Sequence, residues 1–299
     1  MKLGAWLYLW PAVAAFLVFV LGMIAVLVGM NLLLGLGVMS LYAITPKDVL
    51  FDSVAQTFRN PTVESNIRET FSLDVKYPLP PSALYVWSPH ALMSISSVMY
   101  NVGVCRHPAY MPNHLVSIPL FHYLPVISDI ARYFGIIPSD YQSIEKTLAK
   151  KESVSVLLGG VREMTMVEDF KIRLCIKKRR GIFRLALTTG TPIIPVLTFG
   201  ENELFSQAHS ELLDTINKYL FETFGMHIPL PTVRSLFNWV ELSYRPLKPI
   251  RSYTGKPIAV KQVASPTEKD IAELRDTYIK GVRDLFRETA SSEYSLHIE

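Results

Sequence analysis

His90 is the side chain in this sequence best suited to moving a proton. Ser88-Pro89-His90-Ala91 reads as a helix start, with Ser88 as the cap and Pro89 as the first helical residue, so His90 falls in the first turn. There the positive end of the helix dipole lowers the imidazole pKa and keeps the ring neutral, the form that a general base needs. Such a base takes the proton from a hydroxyl as it attacks an acyl carbonyl, then hands it to the departing group. On residue type alone, a lone histidine more often just fills a helix start.

Two further groups can serve the same chemistry. Glu163 closes Gly159-Gly160-Val161-Arg162-Glu163, after an apolar run at Ser153–Leu158 that reads as a buried strand. Its carboxylate therefore belongs at a sheet's carboxyl edge, where it can orient His90, stabilise an imidazolium or hold acceptor hydroxyls. A solvated loop carboxylate is the plainer reading of an isolated glutamate. Gly159 and Gly160 allow close backbone approach and can offer N–H groups to an oxyanion or a phosphate, although two glycines alone mark only a turn. Gly200-Glu201-Asn202-Glu203 follows a second buried run, Ile193 to Phe199. Open α/β sheets place ligands at that end of their strands. Glu201, Asn202 and Glu203 are expected to be architectural or to bind an acceptor, and not to supply the base.

Lys171, Arg173, Lys177, Lys178, Arg179 and Arg180 crowd into one short stretch. Three readings stay open for them: a site for a phosphate-bearing co-substrate, a patch against a membrane, or a solvated surface. His107, His114 and His122 match no local metal motif, and no metal site is expected. The chain has no Gly-x-Ser-x-Gly elbow, so a serine hydrolase has no anchor, and it has no phosphate-binding Walker loop. A net charge of +4 is mild and, without any nucleic-acid motif, argues against a nucleic-acid partner. Cys105 and Cys175 stand far apart, as in a reducing compartment.

The elements that must position these groups alternate. A strand at Ala83 to Trp87 leads to the Ser88 block. Val116 to Phe134 is apolar but broken by Pro119 and Pro125, and reads equally as buried or as membrane-grazing broken helices. A short helix at about Ser143–Lys150 precedes the Ser153–Leu158 strand, and Ile172–Ile176 is a candidate third strand. Ile182, Phe183, Ala186 and Leu187 recur at helical spacing, Gly190 supplies a left-handed stop, and Pro192 prevents continuation. Ser265-Pro266-Thr267-Glu268 reads as a capping box with proline at the first helical position. It opens a long helix that buries Ile271, Leu274, Tyr278, Val282 and Leu285. This alternation predicts an α/β domain over residues 47–299.

Residues 1–46 are different in kind. Leu3 through Pro46 carries no charged side chain, more than twice the roughly 20 residues that one membrane crossing requires. The run is far too long for the apolar region of a signal peptide. Trp6, Tyr8 and Trp10 would sit at headgroup level. A transmembrane hairpin turning near Gly29-Met30-Asn31 is expected, with a single span and a following buried helix as the alternative.

Several blocks also resemble a known family, the type-2 diacylglycerol and monoacylglycerol acyltransferases with their wax-ester-forming relatives. Arg179, Gly181, Phe183, Ala186, Gly190, Pro195 and Phe199 to Glu203 stand where that family has an Arg-x-Gly-Phe helix and a Phe-Gly-Glu-Asn-Glu strand end, with Ile182 replacing a phenylalanine. Gly159 to Glu163 resembles its Gly-Gly-x-x-Glu loop. Ser88-Pro89-His90-Ala91 occupies the place of His-Pro-His-Gly, so the first histidine is Ser88 and the closing glycine is Ala91. The resemblance runs from about Leu84 to about Phe286. It implies a glycerolipid-acyltransferase-like mixed sheet flanked by helices. It also implies transfer from acyl-CoA, as co-substrate, to diacylglycerol, with monoacylglycerol or a long-chain alcohol as alternative acceptors. No cofactor is needed for attack on a thioester. His90 would be the base with Glu163 supporting it, and Ser88 a substitute cap. Gly159, Gly160, Lys177, Lys178, Arg179 and Arg180 would meet acyl-CoA. The expected setting is the endoplasmic reticulum membrane or a lipid droplet, with the catalytic domain cytosolic and self-association open. The altered first histidine leaves one rival of another class, a non-catalytic lipid-binding membrane protein.

Overall fold

The structure is a computed structural model that describes residues 42, 51–52, 65, 69–124, 126–205, 210–224, 227–228 and 249–299. The predicted hairpin within 1–46 lies outside the described residues apart from Tyr42. Among the described residues, no helix is long and apolar enough to cross a membrane.

The strands are β1 (Phe71–Val75), β2 (Leu84–Ser88), β3 (His114–Ser117), β4 (Ile137–Pro138), β5 (Val154–Leu157), β6 (Lys171–Leu174), β7 (Ile193–Phe199), β8 (Ile250–Thr254) and β9 (Ser295–Ile298). The helices are α1 (Ile95–Asn101), α2 (Ile127–Tyr133), α3 (Tyr141–Ala149), α4 (Val161–Met164), α5 (Gly181–Thr189), α6 (Glu211–Phe224) and α7 (Glu268–Thr289), with a 3-10 turn at Pro119–His122. The main sheet runs β1-β8-β7-β2-β5-β3-β4, and β6 pairs with β9 in a separate ribbon. Within the main sheet only β7 and β8 are antiparallel.

The centre of the sheet explains the placement of the site. β2 lies between β7 and β5, parallel to both, with Trp87 level with Leu157 and Val196 and Ser88 level with Leu197. All three strands therefore finish at one edge, and the blocks after them meet there. Side chains alternate across the sheet. Leu84 and Val86 join Val154, Val156, Ile193 and Leu197 in a core against α3, α5 and α7. Tyr85 and Trp87 join Ile194, Val196, Met99 and Tyr100 on the other face, under α1. Every residue of β7 is buried, as a central strand covered on both faces requires.

Local signals set most boundaries. α5 ends where Gly190 takes φ 64 and ψ 27, a left-handed conformation that costs glycine nothing. α7 begins with a capping box, but at Thr267 and Asp270 and not at Ser265 and Glu268. The Thr267 hydroxyl and the Asp270 carboxylate satisfy each other's backbone N–H groups, which leaves Pro266 just outside the helix. Ile271, Leu274, Tyr278, Val282 and Leu285 are buried along α7 as the spacing predicts. The candidate strand at Ile172–Ile176 is Lys171–Leu174, and it stands apart from the main sheet. Val116 to Phe134 begins inside β3 and continues as the 3-10 turn and α2. β1, β8, β9 and α6 were not expected.

Candidate active site

The segment after β2 does not start a helix. Ser88 is the last residue of the strand and is buried, the Ser88-Pro89 peptide is cis, and α1 begins only at Ile95. His90 therefore sits in a strand-to-helix turn, and Ser88 caps nothing. The neutral imidazole has a different cause from the expected dipole: burial pushes the His90 pKa below its usual value, because a desolvated ring resists carrying charge. Ring Nδ1 lies 3.1 Å from the Ala91 carbonyl oxygen. A carbonyl can only accept, so Nδ1 carries the proton and Nε2 keeps its lone pair.

Two buried carboxylates clamp this turn. Glu163, within the short α4, accepts the backbone N–H of His90 on Oε2 at 3.0 Å and that of Cys175 on Oε1 at 2.9 Å. It is not the solvated loop carboxylate that an isolated glutamate suggests, and it grips the main chain of His90 without touching the ring. Gly159 makes this possible, because a Cβ there would lie 1.7 Å from the Glu163 Cδ. At the other end, Glu201 accepts the Ser96 N–H at 2.9 Å and also takes the Ser96 hydroxyl, fixing the start of α1. Burial raises the pKa of Glu163 and of Glu201 to about 7 in each case. Between the clamps, Ala91 and Ser94 take φ values of 48 and 43, and the Ser94 hydroxyl donates to the His90 carbonyl.

The rest of the Gly200–Glu203 block ties neighbouring segments together. Asn202 donates to the carbonyls of Lys171 at 2.8 Å and Glu168 at 3.3 Å. Glu203 accepts the Phe170 N–H at 2.7 Å and the Tyr294 hydroxyl at 3.3 Å. Both side chains are thus engaged with the segment Glu168–Lys171.

His90 opens into a cleft of about 710 Å³ whose other walls are chiefly apolar, from Leu92 and Met93 to Val161 and Leu185. A second cleft of about 610 Å³ holds Arg162, Lys178, Arg179 and Glu299, and it shares Gly160, Val161 and Arg179 with the first. Arg179 is held at this junction by a 2.6 Å bond to the Gly159 carbonyl. The predicted basic cluster thus divides. Lys178 and Arg179 reach the cleft with Gly160. Lys177 is exposed outside its lining and Arg180 pairs with Glu268 at 3.3 Å. Lys171 and Arg173 both bind Glu168. Among the described residues, no group of acidic, histidine and cysteine side chains is placed to hold a metal ion.

Two polar groups beside the candidate site escaped the sequence reading. Arg162 was passed over as a spacer between Gly160 and Glu163, although its charge was a usable signal. Tyr278 was read only as core. Among the described residues its buried hydroxyl has no hydrogen-bond partner of good geometry; the Ser88 side chain is the group within reach, and Glu163 acts on it through its charge. Nothing in the spacing of α7 distinguishes it from its apolar neighbours.

Residues 23–297 match a family model described as diacylglycerol acyltransferase. Human 2-acylglycerol O-acyltransferase 1 is 32% identical over 225 residues, covering 70% of this chain and 66% of that protein. Diacylglycerol O-acyltransferase 1 of Saccharomyces cerevisiae is 27% identical over 219 residues, covering 70% and 52%. The chain thus spans about two thirds or less of the length of these relatives. Among solved structures, the 1-acyl-sn-glycerophosphate acyltransferase PlsC of Thermotoga maritima aligns with 94% of this chain and 99% of its own, at 13% identity and a TM-score of 0.44. With residues 23–297 matched, the chain belongs to the diacylglycerol acyltransferase family.

Proposed function

We propose that this protein is a membrane-anchored acyltransferase that moves a fatty acyl group from coenzyme A to diacylglycerol, forming triacylglycerol. The observation that carries the reading is the union of the two clefts. An apolar cavity and a cationic one meet at Gly160, Val161 and Arg179, and acyl-CoA is a lipid chain joined to a polyphosphate by a thioester. With the chain in the first cleft and the phosphates near Arg162 and Lys178, the thioester lies at the junction, within the cavity that His90 also lines.

The reaction then follows from the tautomer of His90. Nε2 takes the proton from the acceptor hydroxyl as its oxygen bonds to the thioester carbonyl carbon. The C–S bond breaks, and the imidazolium returns the proton to the thiolate of coenzyme A. Glu163 acts as a positioning group through the His90 main chain. Arg179, which lines both clefts, would meet the negative charge that develops on the carbonyl oxygen, whereas the Gly160 N–H is already given to the Leu157 carbonyl. No metal or prosthetic group is required. The uncharged run before Pro46 supplies the anchor as a hairpin, which fits a cytosolic catalytic domain on the endoplasmic reticulum or a lipid droplet.

A second acceptor has a specific observation in its favour. The 2-acylglycerol O-acyltransferases are 31–32% identical to this chain, whereas the diacylglycerol O-acyltransferases compared are 25–28% identical. The deciding experiment gives purified protein acyl-CoA with diacylglycerol or 2-acylglycerol and measures each ester product. Product with diacylglycerol, reduced by about 10²–10⁴-fold in His90→Ala, is expected. Product from 2-acylglycerol alone changes the acceptor. No product from either makes the protein a lipid-binding relative of the enzymes.

A further inference from the structure

The mouth of the apolar cleft is wrapped in exposed apolar side chains. Met93 and Val98 beside and on α1, and Phe121 on the 3-10 turn, line the cavity while remaining 43%, 36% and 39% exposed. Next to them Leu120 is 39% and Tyr123 82% exposed. A water-facing rim of this kind is unfavourable unless something apolar covers it.

Charge and chain path identify the cover. Residues 107–128 contain no lysine, arginine, aspartate or glutamate; exposed Arg106 precedes the stretch, and Asp129, which pairs with Arg132 at 3.2 Å, follows it. An uncharged apolar loop with an exposed cation at its start, tipped by an aromatic hydroxyl, matches the layers of a bilayer surface: acyl region, interface, anionic headgroups. The uncharged N-terminal run also leads here. Near its end the Tyr42 hydroxyl donates to Asp129 of α2 at 2.6 Å, and just past it the Phe51 ring packs 5.3 Å from Tyr133 of the same helix. The anchor segment therefore joins the folded domain on the helix that follows the exposed turn.

We propose that the Pro119–His122 turn and Tyr123 insert into the membrane surface, so that the cleft mouth opens into the lipid phase and the acceptor enters sideways without crossing water. The partner is a phospholipid surface with anionic headgroups. This rests on the membrane-anchored reading above, and the test separates the two.

Full-length protein with Cys105→Ala and Cys175→Ala receives a single fluorophore-bearing cysteine in place of Tyr123, Val18 or Arg283. It is reconstituted in vesicles of phosphatidylcholine and phosphatidylserine carrying lipid-borne quenchers. Quenching at 123 with none at 283 is expected. Quenching at 18 without quenching at 123 overturns the proposal and leaves the anchor standing. Quenching at 123 alone keeps the proposal and removes the anchor, and quenching at neither removes both. A fluorophore at 123 that is shielded from water but not quenched by lipid means a second protein copy covers the turn, which also overturns it. Leu120→Ser with Tyr123→Ser should raise the apparent KM for vesicle-borne diacylglycerol about tenfold, the scale of one part-buried apolar side chain. Use of acyl-CoA and of a water-soluble short-chain diacylglycerol should not change. Equal losses on both acceptors would show a folding defect and count against insertion.

Discussion

Glu163 holds His90 by its backbone N–H, at 3.0 Å, while the imidazole turns to the carbonyl of Ala91. The carboxylate therefore sets where the ring stands and leaves its ring nitrogens untouched. Each of its oxygens receives one N–H, and glutamine has only one oxygen to offer. Glu163→Gln should thus lower kcat by displacing the His90 turn, and should remove from the pH profile the limb that Glu163 itself contributes, since burial raises its pKa to about 7. A kcat unchanged by the substitution would mean that the carboxylate does not position the turn. Gly159→Ala should reproduce the kcat loss, because its new methyl group occupies the path of the Glu163 side chain.

Ala91 gives a prediction of opposite sign. Its φ of 48 lies in the left-handed region, where a Cβ costs roughly 1–2 kcal/mol. Ala91→Gly removes that strain, although glycine's greater freedom in the unfolded chain offsets part of the gain. Urea unfolding should show the variant as stable as the wild type or up to about 1 kcal/mol more so. A clear loss of stability would mean that the Ala91 methyl group contributes more by packing than it costs.

Tyr278 carries a buried hydroxyl that has no hydrogen bond of good geometry among the described residues, with the Ser88 side chain as the group within reach. An unsatisfied buried polar group costs about 1–3 kcal/mol. Tyr278→Phe should therefore raise the unfolding midpoint. If transfer falls while stability rises, the hydroxyl serves the site, and Ser88→Ala should then show a matching but smaller loss. A fall in stability would reveal a hydrogen bond to Ser88 in solution.

Glu201 makes stability depend on pH in the direction opposite to that of an ion-paired carboxylate. Burial raises its pKa from 4.5 to about 7, so between those values the folded protein holds a proton that the unfolded chain has released. Stability from this group is greatest below about 4.5 and declines as pH rises through about 7. Relative to wild type, Glu201→Gln should gain stability as pH is raised across that window, by a few kcal/mol at most. Thermal melts of both proteins over a pH series measure it. A constant difference would show that Glu201 is ionised throughout, held so by Ser96.

Much of the site could be read from residues, and the reason is topological. His90, Gly159 to Glu163 and Gly200 to Glu203 each follow an apolar run, and parallel neighbours end at one edge, so the three blocks had to meet there. The local geometry of His90 could not be read. Ser-Pro serves equally as a helix cap or as the exit from a strand, and only the pairing of β2 with β5 and β7 selects the second. For Glu163 the sequence left three roles open, orienting His90, stabilising an imidazolium or holding acceptor hydroxyls, and a grip on the backbone was not among them. The competing backbone donors, one of them 12 residues onward at Cys175, leave no mark in the sequence. β9 was invisible because Ser295–Ile298 is four residues of mixed polarity, whose strand character depends on its partner β6.

That pairing has a consequence for the making of the protein. β9 lies along β6, and the Glu299 carbonyl accepts the N–H groups of Ile176 and Lys177, beside the Cys175 amide that anchors Glu163. The support behind the proposed catalytic turn is thus the last described stretch to leave the ribosome. A nascent chain that already contains His90, Glu163 and the whole main sheet still lacks it. A chain that stops short of β9 would therefore lack the support behind the proposed catalytic turn.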